Sequence, residues 1–132
     1  MSQVDEIETL YRVSYPDNSF DPRMLETGCF YGIRHGMLLV SVAVVHVYSP
    51  RYRVAALGNV ATHPSFRGQR LATTVCAKLC QSLLQTVDHI GLNVKADNVS
   101  AIRSYEQLGF ASIAAYKEYT IELLNRFDTL TT

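Results

Sequence analysis

The chain has 132 residues, of which 48% are hydrophobic and 18% charged. That length fits one domain with its own core, and the composition excludes an intrinsically disordered chain. Lysine plus arginine and aspartate plus glutamate each number 12, so no overall charge attracts nucleic acid or a membrane surface. Between Gly28 and Val87, however, there is no acidic residue, which favours either a solvated basic face or a site for a small anionic ligand.

The three cysteines, Cys29, Cys76 and Cys80, have no spacing typical of a disulfide framework. Cys76 and Cys80 lie four residues apart in a helical pattern, where we expect them to pack as small apolar residues rather than react. The N-terminus lacks the basic and apolar regions of a signal peptide, and the longest apolar run, residues 37–47, is too short to cross a bilayer. We therefore expect a cytoplasmic protein without membrane contacts.

The first half of the chain predicts two short helical segments followed by three strands. A helix is expected over residues 5–11, and Asp21-Pro22 opens a helical turn through Leu25. Residues 29–34, 37–48 and 54–62 are predicted to be strands, with a tight turn at His35-Gly36. The middle strand is almost continuously apolar, so we expect it to be covered on both faces. Gly58 in the third strand indicates a bulge or a close backbone approach.

The second half predicts two helices that alternate with strands. Residues 70–85 carry two apolar rows that each step by four, which together form one wide apolar stripe on a long helix. A strand over residues 89–94 leads to a helix that Asp97 or Asn98 caps and that Gly109 ends in a left-handed conformation. Residues 110–116 and 118–124 are predicted to be two closing strands. This order indicates an α/β fold with a mixed sheet and helices packed on it.

The most informative segment is VATHPSFRGQRLA, residues 60–72. A strand ends there, a loop with Gly68 and two arginines follows, and the long helix begins. The first turn of a helix has unpaired backbone N–H groups and a positive dipole end, which together favour a phosphate group. The loop has neither the GxxxxGK phosphate motif nor the GxGxxG turn of a dinucleotide fold. The residues alone indicate either an anion-binding loop or an ordinary loop with solvent-facing arginines.

Two segments resemble signatures of the GNAT family of N-acetyltransferases. Residues 67–72, RGQRLA, resemble the acyl-CoA motif Q/R-x-x-G-x-G/A, with Arg70 in place of the central glycine. Residues 98–110, NVSAIRSYEQLGF, match the pattern N-x-x-A-x-x-x-Y-x-x-x-G-F. The order and separation of the two segments also agree with the family, and the resemblance extends over residues 30–122.

The resemblance implies a mixed, mostly antiparallel sheet with a central parallel strand pair that splays apart, flanked by helices and short at its N-terminus. It implies a single acyltransferase domain over residues 1–132, with a shortened helical part over residues 1–27 and a cofactor-binding core over residues 28–124. The family's usual first strand has no counterpart, so the chain is either a compact variant or the C-terminal part of a longer protein. Its expected protein partner is accordingly a second copy in a homodimer or a preceding N-terminal domain.

The resemblance also implies acetyl-CoA as co-substrate and direct attack on its thioester by a primary amine in a ternary complex. The amine would belong to a small molecule, an amino acid or a peptide. The implied cofactor-binding residues are Val60, Ala61, Thr62, Arg67, Gly68, Gln69, Arg70, Leu71, Ala72, Thr73, Asn98, Ser100 and Tyr105. Tyr105 would also be the catalytic acid that protonates the leaving thiolate, and no metal is implied. A non-catalytic CoA-binding or structural module of the same fold is the alternative.

Several of these residues have a second interpretation. Tyr105 lies at an apolar helical spacing that is more often that of a core residue, and only the motif favours the catalytic role. Capping of a helix explains Asn98 as well as a contact with the cofactor does. The general base is open. Some family members use a glutamate on the strand before the loop, but the acid-free segment excludes it here. His46 and His63 are candidates by residue type, although strand histidines are more often structural, and deprotonation through ordered water is the favoured route.

Overall fold

The computed structural model describes residues 2–18, 20–115 and 118–123. Its α-helices are α1 (Gln3–Ser14), α2 (Leu71–Leu83) and α3 (Val99–Gln107). Its strands are β1 (Phe30–His35), β2 (Leu38–Ser49), β3 (Val54–Thr62), β4 (His89–Lys95), β5 (Phe110–Ala115) and β6 (Glu118–Leu123). Two short 3₁₀ helices, Pro22–Thr27 and Pro64–Phe66, lie between these elements. None of the described helices has the length and apolar character needed to span a membrane.

The ends of these elements lie within one or two residues of the predicted ones, except in α1. That helix is longer at both ends than predicted, and at its start the side chain of Ser2 accepts a hydrogen bond from the Asp5 N–H at 3.1 Å. Such a cap satisfies one of the unpaired amides in the first turn. Two predicted strand ends, Tyr116 and Leu124, lie outside the described residues.

The six strands form one sheet in the order β1-β2-β3-β4-β6-β5. Neighbouring strands are antiparallel except for β3 and β4, which run parallel. This parallel pairing joins only residues 54–56 to residues 89–91, so the two strands separate towards their carboxyl ends. The predicted mixed, mostly antiparallel sheet with a central splayed pair is confirmed.

Helices cover both faces of the sheet. The apolar stripe of α2 packs on one face, in a core cluster that also contains Ala43 and Val45 of β2. The other face is covered by α1, whose buried residues cluster with Val42 and Val44. Since successive side chains of a strand point to opposite faces, β2 contributes to both layers. Residues 39–45 are accordingly all buried, as the continuous apolar sequence predicted.

The two cysteines of α2 belong to the same core. Cys76 and Cys80 are buried, and burial raises the pKa of each thiol to about 12. Cys29, before β1, is half-buried, and all three thiols are free. The prediction that Cys76 and Cys80 pack as apolar residues is confirmed.

The bulge that Gly58 indicated is present in β3. The pairing with β2 shifts so that two residues, Asn59 and Val60, lie opposite the single residue Ala43. Asn59, the first of these two residues, has a φ of 54°, in the left-handed region. Gly58 also allows a close approach, because a Cβ there would lie 2.7 Å from the Cβ of His46. Both interpretations of this glycine are therefore correct.

Candidate active site

A groove of about 800 Å³ opens where β3 and β4 separate. The two strands line it with residues that lie beyond their last paired positions, 56 and 91. Residues from the start of α2, from α3 and from the end of α1 complete its walls. Because open sheets bind ligands beyond the carboxyl ends of parallel strands, this groove is the candidate active site.

The implied cofactor-binding residues come together in this groove. Its lining includes all of them except Gln69: Val60, Ala61 and Thr62 on β3, Arg67, Gly68, Arg70, Leu71, Ala72 and Thr73 at the start of α2, and Asn98, Ser100 and Tyr105 on or before α3. Gln69 is exposed in the loop before α2. Two sequence segments that lie about thirty residues apart therefore face one another across a single cleft.

The charge of the groove has one sign. Among the described lining residues there are three cationic side chains, Arg67, Arg70 and Lys95, and no carboxylate. The amino end of α2 adds the partial positive charge of its unpaired N–H groups. Cations without a nearby acid create a positive potential inside a cleft, so this groove suits an anionic ligand.

The backbone of β3 presents alternate residues to the groove. The Ala61 carbonyl accepts a hydrogen bond from Ser41 Oγ of β2 at 3.2 Å, so the polar backbone groups of Ala61 face β2. In a strand the backbone groups of the neighbouring residues point the other way, which turns those of Val60 and Thr62 towards the groove. The Thr62 carbonyl accordingly accepts from Arg67 Nε, at 3.3 Å, on this side.

Arg67 joins two elements at the rim of the groove. Besides the bond to Thr62, its Nη2 donates to the carbonyl of Ser14 at the end of α1, at 3.3 Å. The guanidinium therefore satisfies a carbonyl at the end of a strand and another at the end of a helix. Arg67 both lines the groove and fixes α1 against β3.

Arg70 has a backbone conformation that favours glycine, the residue that the motif has at its place. Its φ is 62°, in the left-handed region, and it is the residue that precedes the first turn of α2. Its Nη2 donates to Oε1 of Gln107 at the end of α3, at 2.8 Å. Gln107 is neutral, so the charge of the guanidinium remains available to an anion.

Tyr105 belongs to both the core and the groove. Its ring packs edge-on against Phe110, with 5.9 Å between centroids, and contacts the core cluster beneath α2. Burial, with Cys76 nearby, raises the pKa of Tyr105 above its usual value of 10.0. Within the described part of the chain its hydroxyl makes no hydrogen bond. Tyr105 thus lines the groove with a phenol that stays protonated.

The chain was compared with protein-family models, and the model for the acetyltransferase (GNAT) family matches residues 3–110. That match covers most of the chain. The chain belongs to the GNAT acetyltransferase family. A search of curated proteins found no match.

Solved structures with the same fold include other members of the family. A GNAT-family protein from Novosphingobium aromaticivorans is 28% identical, with a TM-score of 0.72 over 92% of this chain and 53% of that one, so this chain spans about half of its length. The ribosomal-protein-S18-alanine N-acetyltransferase of Escherichia coli is 18% identical, with a TM-score of 0.70 over 100% and 96% of the two chains. PaiA N-acetyltransferase of Thermoplasma acidophilum, in complex with coenzyme A, is 13% identical, with a TM-score of 0.69 over 92% and 94%.

In this GNAT protein neither candidate histidine lines the groove among the described residues. His63 Nδ1 accepts a hydrogen bond from the Ser65 N–H at 3.1 Å and so caps the 3₁₀ helix that follows. The side chain of His46 passes over Gly58. Both histidines thus lie outside the described lining of the groove, and the identity of the general base stays a prediction.

Asn98 has the capping role that its position suggested. Its Oδ1 accepts from the Ala101 N–H at 3.3 Å, at the start of α3. It also lines the groove. The cap and a contact with a ligand are thus compatible in this GNAT protein. The asparagine side chain has a carbonyl oxygen with two lone pairs and an NH₂ group that can donate.

Several groove residues lie outside the GNAT motifs. Ser14 and Tyr15 come from the end of α1, Asn59 from the bulge of β3 and Lys95 from the end of β4. No local pattern marked the first two, because their place in the groove depends on how α1 packs across the sheet. Only Gly58 pointed to Asn59, since a glycine inside a strand indicates a bulge.

Proposed function

We propose that this GNAT protein binds acetyl-CoA in the groove and transfers the acetyl group to a primary amine by direct attack in a ternary complex. The observation that carries this proposal is the acid-free groove between the splayed strands, which joins free strand edges to a helix amino end. The structure of PaiA N-acetyltransferase with coenzyme A supports it. The acceptor amine would be that of a small molecule, an amino acid or a peptide, and the Escherichia coli relative, named for an alanine of a ribosomal protein, supports a peptide.

The pyrophosphate and the pantetheine arm of acetyl-CoA each have suitable groups in the groove. The backbone N–H groups of residues 68–73, at the start of α2, suit the pyrophosphate. The backbone N–H and C=O groups of Val60 and Thr62 suit the amide groups of the pantetheine arm, which would lie along β3 like an added strand. Ala61 lies between them in the wall of the groove. The side chains of Arg70 and Lys95 add positive charge. Asn98 and Ser100 would contact the arm from the α3 side.

The chemical step needs a hydrogen-bond donor at the thioester oxygen and a proton donor at the sulfur. The lone pair of the amine forms a bond to the thioester carbonyl carbon, and the negative charge that develops on its oxygen is stabilised by a backbone N–H of β3. The carbon–sulfur bond then breaks, and the sulfur takes a proton from the Tyr105 hydroxyl. The amine loses its extra proton to water, and Tyr105 recovers its own from solvent. Tyr105 is therefore the proposed catalytic residue.

We also propose that residues 1–132 act as one domain, with a helical part over residues 1–27 and the cofactor-binding core over residues 28–124. A reducing, cytoplasmic location is proposed as well. The three free thiols support it, since proteins of oxidising compartments more often carry disulfides.

The test is release of thiol from acetyl-CoA with a panel of amines that includes amino acids, small diamines and peptides with free N-termini. Mass spectrometry of the acetylated product and isothermal titration with acetyl-CoA accompany it. Product formation with at least one amine is the expected result. Binding without turnover of any amine would favour a non-catalytic CoA-binding module, which the lack of carboxylate and imidazole in the described lining also favours. If acetyl-CoA gives neither binding heat nor a thermal shift, the result would favour a structural module.

A further inference from the structure

Tyr11 of α1 contacts the bulge of β3 through its hydroxyl. Its side chain is 1% exposed, and its hydroxyl donates to the carbonyl of Asn59 at 2.6 Å, across 48 residues of sequence. Burial raises the pKa of Tyr11, so the hydroxyl stays protonated and donates this bond. A buried phenol with a single backbone acceptor fixes the direction of that carbonyl.

Asn59 is the residue at which β3 changes direction. It has a positive φ, it begins the bulge, and it lies three residues beyond the last pairing of β3 with β4 at Ala56. A left-handed conformation at a residue other than glycine persists only where its surroundings hold it. The bond from Tyr11 is one contact through which α1 holds this peptide group.

The carbonyl of Asn59 and the N–H of Val60 belong to the same peptide group. That group is planar and trans, so the two bonds point in opposite directions. A donor that fixes the carbonyl therefore also fixes the N–H, and Val60 lines the groove. In addition, a hydrogen bond to the carbonyl polarises the peptide and strengthens its N–H as a donor.

We propose that Tyr11 is a positioning residue that aims the Val60 N–H at the oxygen of the acetyl thioester. This inference rests on the proposed function, because the oxyanion arises only during acetyl transfer. A donor that is well aligned only with the transition state raises kcat and leaves the affinity for the substrate almost unchanged. Loss of the Tyr11 hydroxyl should consequently act on kcat rather than on KM.

The variant that tests the inference is Tyr11→Phe, which keeps the ring and its contact with Phe20 at 5.3 Å between centroids. We expect kcat to fall by about tenfold or more, since loss of an oxyanion donor costs about 10²–10³ and this change only misaligns it. The KM for acetyl-CoA should stay within about twofold. The matched control is Tyr48→Phe, which removes a hydroxyl that donates to Thr86 Oγ1 at 3.2 Å outside the groove, and its kcat should be unchanged.

A second readout does not depend on turnover. In the ¹H–¹⁵N spectrum of the wild type, acetyl-CoA should shift the Val60 amide, and Tyr11→Phe should reduce that shift and speed exchange of this amide with solvent. If the wild type acetylates no amine, the proposed function fails, and the spectra still decide whether Tyr11 controls this amide. An unchanged kcat in Tyr11→Phe would overturn the inference. So would a Val60 amide indifferent to the substitution, or a loss of kcat that only follows the unfolded fraction in urea titrations.

Discussion

Arg70 shows how a single residue can keep a conformation that its side chain disfavours. The family motif has glycine there, and the structure keeps the positive φ of 62° with an arginine. For a residue with a Cβ this conformation costs about 1–2 kcal/mol. Its side chain offsets part of that cost through the bond to Gln107 and offers a charge that glycine lacks.

The substitution Arg70→Gly separates these two effects. We expect the free energy of unfolding to rise by about 0.5–1 kcal/mol, because glycine adopts the left-handed conformation without strain but is more flexible when unfolded. Binding of acetyl-CoA should weaken by about two- to fivefold, the value of one exposed ion pair. Urea titration and isothermal titration measure the two changes. Gln107→Ala is the control: it removes only the bond, so it should lower the free energy of unfolding slightly and leave acetyl-CoA binding almost unchanged. An Arg70→Gly variant less stable than the wild type would contradict the claim that the backbone at Arg70 is strained.

Removal of the Tyr105 hydroxyl tests its proposed role as the acid. Tyr105→Phe should lower kcat by about 10²-fold or more, within the usual contribution of a general acid. The ring still packs on Phe110, so the melting temperature and the affinity for acetyl-CoA should change little. Steady-state kinetics and thermal melting measure these quantities side by side. A kcat near that of the wild type would leave Tyr105 as a core residue only.

At the scale of elements, α2 buries its cysteines and so makes them unreactive. A thiol whose pKa is raised to about 12, as for Cys76 and Cys80, is almost entirely protonated at pH 8. Titration of the native protein with a disulfide reagent at pH 8 should therefore label Cys29 at most. All three thiols should react in denaturant, which provides the control. Rapid labelling of Cys76 or Cys80 in the native state would show that α2 detaches from the sheet.

The start of α3 allows its cap to be tested separately from its contact with a ligand. Asn98→Asp keeps an oxygen that accepts from the Ala101 N–H, whereas Asn98→Ala removes it. We expect the alanine variant to lose about 1 kcal/mol of unfolding free energy and the aspartate variant to lose almost none. The aspartate should nevertheless weaken acetyl-CoA binding, because it adds a negative charge to the groove. Equal affinity in the wild type and in Asn98→Asp would limit Asn98 to capping.

At the scale of the molecule, the protonation of the site predicts a pH profile. Since burial raises the pKa of Tyr105 above its usual value, the phenol keeps its proton throughout the range in which amines lose theirs. The rate at low amine concentration should rise with pH as the acceptor amine loses its proton. No decrease in rate is expected at any pH up to about 10. Initial rates in a series of overlapping buffers measure this profile. A descending limb between pH 8 and 9, with the protein still folded, would contradict an acid with a raised pKa.

The basic middle of the chain resolves into two parts only in the folded molecule. Arg34 pairs with Glu6 at 2.8 Å and Arg53 with Asp88 at 2.9 Å, so acids from either side of the acid-free segment neutralise them. Arg67 and Arg70 instead line the groove. The two interpretations of this segment, a solvated face and an anion site, therefore apply to different residues.

The strands, the helices and the loop before α2 could all be predicted from the amino-acid sequence. Hydrophobic periodicity, caps and turn residues act over a few neighbouring residues, so they can be read without the fold. The same holds for the two motifs and for the bulge at Gly58, because each lies in one continuous segment.

Which elements meet around the groove could not be predicted in this way, because it depends on how distant parts of the chain pack together. The sheet order sets β4 beside β3 for just three residue pairs, and the packing of α1 brings Ser14, Tyr15 and Tyr11 to a strand more than forty residues away. Contacts of this kind leave no local pattern, since each residue alone is compatible with an exposed helix end or an ordinary core. They arise because both faces of one sheet must be covered at once, and that requirement acts on the whole chain.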